Sequence, residues 1–278
     1  MKNHGLIKKA LSVPVSAALM LVFITNSHAA LVDVTVTIEN LAPTNTISFA
    51  PLRLGFHNGT FDAFDDGSAA SDAIVSIAEG GSGVDWFEAF AAAEPDAVLG
   101  TVADGGPAVP NGNAGIGNMF SSTASSTFRV DTSENAFFTF ANMVVPSNDL
   151  FLGNDSPIQL FDASGNLLVS QIFQTAANIW DANSEVADPA AAAFVVGGVN
   201  GDRTEENGLI AFDFSELGVF DGLTTAAAYD FDFSALARDT AIYSIRFDAQ
   251  SVMVSAPTAF TLMCITALGL LIRRMNKH

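Results

Sequence analysis

The sequence predicts an all-β chain folded as an antiparallel sandwich, and three observations carry that reading. Val32, Val34, Val36 and Ile38 alternate with Asp33, Thr35, Thr37 and Glu39, the two-residue period of a strand with one buried face. Further β-like runs recur along the chain between turn-rich segments, with none of the strand-helix-strand rhythm of a parallel sheet. Phenylalanine, at 23 copies against two tryptophans and two tyrosines, is the main core filler.

The elements follow in order. The first strand covers Val32 to Ile38. Ser71 is placed to cap a short helix with Ile74, Ile77 and Ala78 on one face and Gly80-Gly81 at its end. Asp85 can cap a second helix from Trp86 to Ala93, stopped by Pro95. Gly105 to Gly117, rich in Gly, Pro, Asn and Ala, reads as an exposed loop. Strands are then expected at Ser126 to Val130, Phe137 to Val145, Ile158 to Phe161, Leu167 to Ile172, Leu209 to Phe214 and Ile242 to Asp248. The Asp162-Ala163-Ser164-Gly165-Asn166 turn separates two of them. No internal repeat is present, and residues 30–255 read as one domain.

Charge divides the chain into three parts. Lys2, Lys8 and Lys9 stand at one end and Arg273, Arg274 and Lys277 at the other. Between them lie only Arg53, Arg129, Arg203, Arg238 and Arg246, with all 30 carboxylates, a net charge of −25. Such a body repels nucleic acid and anionic lipid and attracts cations.

The ends themselves read as processing signals. Three lysines, an apolar run from Ala10 to Thr25 and the small residues around Ser27-His28-Ala29-Ala30 make residues 1–29 a secretory signal peptide for the Sec pathway. Pro257, the uncharged stretch Ala259 to Ile272 and the terminal Arg273-Arg274 make residues 256–278 an inner-membrane anchor or sorting signal. Proline, one apolar helix and terminal arginines together resemble the PEP-CTERM sorting signal of Gram-negative bacteria. Val254-Ser255-Ala256-Pro257-Thr258 keeps only the second proline of that signal's Val-Pro-Glu-Pro opening, so a plain single-span anchor is the other reading. Either way the body is expected outside the inner membrane, in the periplasm, at the cell surface or in a secreted matrix.

The residue inventory excludes several chemistries. His57 is the only histidine of the body and Cys264, the sole cysteine, lies in the tail, so a zinc site with nitrogen or sulfur ligands cannot be assembled. Cysteine nucleophiles, disulfides and lysine Schiff bases are also unavailable to residues 30–255. No Gly-x-Ser-x-Gly elbow is present. A non-catalytic protein is expected, and what remains is oxygen chemistry: carboxylate pairs, or a hard divalent cation such as calcium.

Several ordered strings resemble the spondin N-terminal domain, the module found in the F-spondin and mindin matrix proteins and in bacterial exported proteins. The first is Val34-Thr35-Val36-Thr37-Ile38-Glu39-Asn40-Leu41-Ala42-Pro43, followed by Ala50-Pro51-Leu52 and Gly55-Phe56-His57-Asn58-Gly59. Another ends in Ser76-Ile77-Ala78-Glu79-Gly80. The most specific runs from Met143-Val144-Val145-Pro146-Ser147-Asn148-Asp149 to Asp155, with Leu160-Phe161-Asp162 and Trp180-Asp181-Ala182 after it.

The resemblance implies an eight-stranded sandwich like that of calcium and lipid-binding modules, a bound divalent cation, and a part in adhesion through exopolysaccharide or surface proteins. It places Asp149 and Asp181 on the family's two aspartate ligands. The family's third ligand, a glutamate, falls near Arg129 to Asp131, with Arg129 as the clean match, so either Asp131 or Glu185 substitutes or the site is weaker. Without the resemblance, Asp149 reads as well as a turn cap after Pro146-Ser147.

Other acidic strings carry less. Asn154-Asp155-Ser156-Pro157 and Asp162 to Asn166 lack the spacing of an EF-hand loop and read as hydrogen-bonded turns. Asp62, Asp65 and Asp66 beside Gly67 read as a solvated turn, and His57 as a structural hydrogen-bonding residue. The alternative function is binding or cleavage of envelope carbohydrate, with Trp86 or Trp180 as the stacking platform of an open groove.

Overall fold

The computed structural model describes residues 31–103, 105–115 and 119–252. The signal peptide expected at residues 1–29 and the anchor expected at 256–278 lie outside the described residues. Among the described residues no helix is long and apolar enough to cross a membrane.

In chain order the strands are β1 (Leu31–Asn40), β2 (Ser48–Phe49), β3 (Leu52–His57), β4 (Val98–Val102), β5 (Thr123–Asp131), β6 (Phe137–Val145), β7 (Leu150–Gly153), β8 (Ile158–Gln159), β9 (Gln171–Thr175), β10 (Trp180–Asp181), β11 (Ala211–Phe212) and β12 (Ala241–Ser251). Helices α1 (Asp72–Gly80) and α2 (Val84–Ala93) stand between β3 and β4. One sheet has the order β5-β1-β12-β9, and the other β11-β10-β7-β6-β3-β4, with β2 and β8 also on β6. Every pairing of these strands is antiparallel. Four strands in each sheet are four residues or longer, and these make the eight-stranded frame; β2, β8, β10 and β11 are two-residue additions to the second sheet.

The two sheets bury their facing sides against each other. Val32, Val34, Val36 and Ile38 of β1 enter the same core as Leu54 and Phe56 of β3, Phe138 and Phe140 of β6 and Phe247 of β12. Phe138 meets Phe247 edge to face across the sheets at 4.9 Å. The outer side of β1 carries Asp33, which pairs with Arg129 of the neighbouring β5 at 2.9 Å.

A third layer explains why the second sheet has no alternating pattern. Helices α1 and α2 cover its outer face through Ile74, Ile77, Trp86 and Phe90, packed with Phe61, Phe64, Phe151 and Trp180. Strands β6 and β7 are therefore buried on both sides. Gly55 of β3 makes room for α2, since a Cβ there would lie 2.4 Å from the Phe90 ring. Such strands read as continuous apolar runs in sequence, which is why β7 lies outside the strands expected from periodicity; β3, where Leu52, Leu54 and Phe56 alternate with Arg53, Gly55 and His57, and the partly buried β4 also form beyond those expected. The strand expected at Leu167 to Ile172 forms instead at β9, Gln171–Thr175, one edge of the first sheet.

Helix α1 begins and ends as its sequence dictates. Ser71 Oγ accepts the Ile74 N–H, and Gly81 closes the helix at φ 63°, its N–H on the Ile77 carbonyl. Helix α2 starts one residue before the expected Asp85 cap, which instead lies in the first turn, where a carboxylate suits the helix dipole. Gly81→Ala is expected to cost about 1–2 kcal/mol from the left-handed backbone alone. Its new Cβ would also lie 2.9 Å from the Ala50 Cβ. A lower denaturant midpoint at unchanged m-value is the check.

Candidate metal centre

Pairing within the second sheet brings the two sequence-predicted aspartates together. Asp149 immediately precedes β7, and Asp181 is the second residue of β10, opposite Leu150. The Ala182 N–H donates to the Asp149 carbonyl at 3.2 Å, which extends the ladder past the strand ends. Because paired residues share a face, Asp181 lies on the core-facing side with Leu150, one strand in from the edge of the sheet. Strand β11 then pairs with β10, Ala211 opposite Asp181. Just beyond it Asp213 Oδ1 accepts the N–H groups of Ser215 and Glu216 and opens the 3₁₀ turn Ser215–Phe220. That turn buries Leu217 and Phe220 in the core and delivers Glu216 to the two aspartates.

The result is a three-carboxylate cluster. One oxygen each from Asp149, Asp181 and Glu216 lie within 4.8 Å of one another. Asp149 is fully buried, Asp181 is 4% exposed and Glu216 is half-buried. Asp149 Oδ2 accepts three hydrogen bonds, from the Ser184 N–H at 2.7 Å, the Glu185 N–H at 2.9 Å and the Ser184 hydroxyl at 3.1 Å. Asp181 Oδ1 accepts the Asn183 N–H at 2.7 Å. Asp149 Oδ1 and Glu216 Oε1, by contrast, are buried without a hydrogen-bond partner.

Like charges at this distance repel by roughly 3–4 kcal/mol per pair at an effective dielectric constant near 20. Burial, reinforced by the Asp181 charge, pushes the Asp149 carboxyl up to about 7. Burial also raises Asp181, against the Asn183 N–H and a hydrogen bond shared with Glu216. Glu216 is pushed up to about 9, by burial first and then by Asp181 and Asp149. No arginine of the body is placed to offset the cluster. Arg53 bonds Thr101 and the Gly81 carbonyl, Arg129 holds Asp33, Arg203 holds Glu79, and Arg238 and Arg246 are exposed. Two buried carboxylates, a half-buried third and two bare oxygens fit a hard metal ion, and the cluster could hold one.

Several sequence expectations need correction here. The third carboxylate is Glu216, and neither Asp131 nor Glu185 substitutes. Asp131 lies at the opposite end of β6, where its Oδ1 accepts the Ser133 N–H and hydroxyl in a turn. Glu185 turns its carboxylate to the Asn148 amide at 2.8 Å, and only its backbone N–H reaches Asp149. Arg129 sits on the outer face of the other sheet and opposes nothing at the centre. No stacking platform exists at the tryptophans: Trp86 is fully buried, and Trp180 is 4% exposed beneath the Phe212 ring, with its Nε1 donating to the Gly153 carbonyl.

Other expectations hold. Asp162 accepts the Ser164 and Asn166 N–H groups in a hydrogen-bonded turn, and Asn154 ties Phe140 to Ser156. His57 is fully buried between Glu94 at 3.0 Å and Thr139 at 2.9 Å, and burial lowers its affinity for a proton. Although burial opposes it, His57, the Asn58 and Phe61 N–H groups and Thr60 hold Glu94 down to about 2.

A cleft of about 320 Å³ adjoins the centre. Ala182, Asn183 and Ser184, which hold the two aspartates, form one wall, with Asp72, Glu79, Arg203, Glu205 and Glu206 around it. Against models of protein families and against curated protein sequences, the chain finds no match.

Proposed function

We propose that the chain is an exported β-sandwich module of the spondin type that binds one calcium ion at Asp149, Asp181 and Glu216. In this reading it acts without catalysis in cell-surface or matrix adhesion. The observation that carries it is the convergence of three carboxylates, two of them with a bare buried oxygen, in a body with no lysine and with no arginine paired to them. The sandwich, the ordered strings around Pro146-Ser147-Asn148-Asp149 and Trp180-Asp181, and the two basic, apolar ends support the assignment.

Calcium takes six to eight oxygens in flexible geometry. Asp149 offers Oδ1, since Oδ2 is taken by three donors; Glu216 offers Oε1; Asp181 completes the set. The ion would supply the counter-charge that lets all three ionise in the folded state and would fasten β7, β10 and the 3₁₀ turn to one another. Magnesium demands a stricter octahedron and dehydrates reluctantly, so calcium is expected to win.

Titration calorimetry on the full-length chain tests this. One calcium per chain is expected, with binding lost in Asp149→Asn and in Asp181→Asn. Unchanged binding in both variants would remove the assignment.

A further inference from the structure

The three ligands are linked to a fourth buried carboxylate through a single hydroxyl. Ser184 Oγ lies 3.1 Å from Asp149 Oδ2 and 3.0 Å from Glu79 Oε1. A serine hydroxyl has one hydrogen and can donate to only one of them at a time. Glu79, at the end of α1, is 5% exposed, and its other oxygen is in close contact with the Arg203 guanidinium. Arg203 comes from the loop that follows the cluster-holding segment. Its side chain is 42% exposed where it borders the adjoining cleft. It also acts on Glu185, where its charge opposes that of Glu79. Arg203 is therefore the one cation the fold brings to this group of acids, and Glu79 and Ser184 stand between it and the nearest ligand, Asp149.

We infer that the Glu79–Arg203 pair sets the charge, and hence the valence preference, of the proposed cation centre. This rests on the calcium reading above. Asp149, Asp181 and Glu216 provide three negative charges, which a divalent ion leaves partly uncompensated and a trivalent ion matches. Glu79 adds a fourth charge one hydroxyl away, and Arg203 cancels it. Removing Arg203 alone exposes the ion to Glu79, a gain that grows with the charge on the ion; removing Glu79 alone exposes it to Arg203, with the opposite sign. Removing both returns the field to its starting value. The pair is a positioning and specificity element and touches no ligand directly, apart from the Ser184 bridge.

The test is a double-mutant cycle on the full-length chain, with terbium(III) and calcium as probes. Terbium emission can be excited through Trp180, whose backbone neighbour is Asp181. Arg203→Gln is expected to tighten both ions and to raise the terbium-to-calcium affinity ratio roughly fivefold, for about one unit charge in partly solvated surroundings. Glu79→Gln should lower that ratio by a similar factor, and the double variant should return it to within about twofold of wild type. Arg203→Lys, which keeps the charge and loses the fork, should leave the ratio unchanged. A merely structural pair gives a different pattern: both single variants and Arg203→Lys weaken binding of the two ions alike, and the ratio stays fixed. That outcome overturns the inference while leaving the centre intact. Wild-type protein that binds neither ion overturns the centre itself.

Discussion

In millimolar calcium the full-length chain is expected to unfold about 5–10 °C higher than in chelator, and Glu216→Gln should abolish that increment. The magnitude follows from linkage. An ion present at a hundredfold excess over its dissociation constant, and bound only by the folded state, stabilises by about 2.7 kcal/mol. In a domain of this size each kcal/mol moves the midpoint by about 2–4 °C. Glu216→Gln is the informative variant because the side chain keeps its shape. Burial first, and then Asp181 and Asp149, push the Glu216 carboxyl up to about 9, so the chelated protein already holds it neutral at pH 7. A glutamine can stand in for that protonated acid and still donate to Asp181. The chelated variant should therefore be at least as stable as chelated wild type, while its calcium response is gone. An ordinary packing defect would lower both midpoints, so scanning calorimetry in the two buffers separates the explanations. An undiminished calcium shift in Glu216→Gln would remove Glu216 from the centre.

How much of this was legible in the sequence depends on where each signal is written. Strand β1 declares itself because only one face is buried, and Phe137–Val145 is long and apolar enough to read as a strand without alternation. Helix α1 carries its own boundaries in Ser71 and Gly81. Strand β7, Leu150–Gly153, carries no alternation, since the side that would otherwise be polar is covered, whereas β3 does alternate, Leu52, Leu54 and Phe56 against Arg53, Gly55 and His57, in a run of only six residues. The assignment of β7 depends on the helical layer lying across it, a tertiary fact. The same distinction divides the site. Asp149 and Asp181 stand in recognisable strings, whereas Glu216 stands in Asp213-Phe214-Ser215-Glu216-Leu217-Gly218, 35 residues after Asp181 and beyond a two-residue strand. What places it is the pairing of β11 on β10 and the anchoring of Leu217 and Phe220 in the core. The shortage of cations was readable from composition, and it did imply that a cluster of acids would need a counter-ion. It did not say which acids would meet.

Between pH 5 and pH 9 the stability of the chelated protein should fall as pH rises, and calcium should abolish that fall. An acid whose folded pKa lies above its unfolded value holds more protons in the folded state over the interval between the two. Stability must then fall as pH rises through that interval. Asp149 rises from 3.8 to about 7 and Glu216 from 4.5 to about 9, with Asp181 raised as well. The chelated protein should therefore lose stability progressively from about pH 5 to pH 9, as the cluster is forced to ionise without a counter-charge. Glu94, held down to about 2, contributes in the other direction: its share is fully present above about pH 4.5 and disappears only as pH falls through its folded value, so it does not disturb this window. With calcium bound, the three carboxylates are ionised in the folded state already, and the decline above pH 5 should vanish. Binding at pH 7 must accordingly release protons, which calorimetry in buffers of different ionisation enthalpy would count. Denaturant titrations at pH 5 and pH 8 give the direct comparison. A chelated protein equally stable at both, or a decline that calcium leaves untouched, would mean that the three carboxylates do not share one ion.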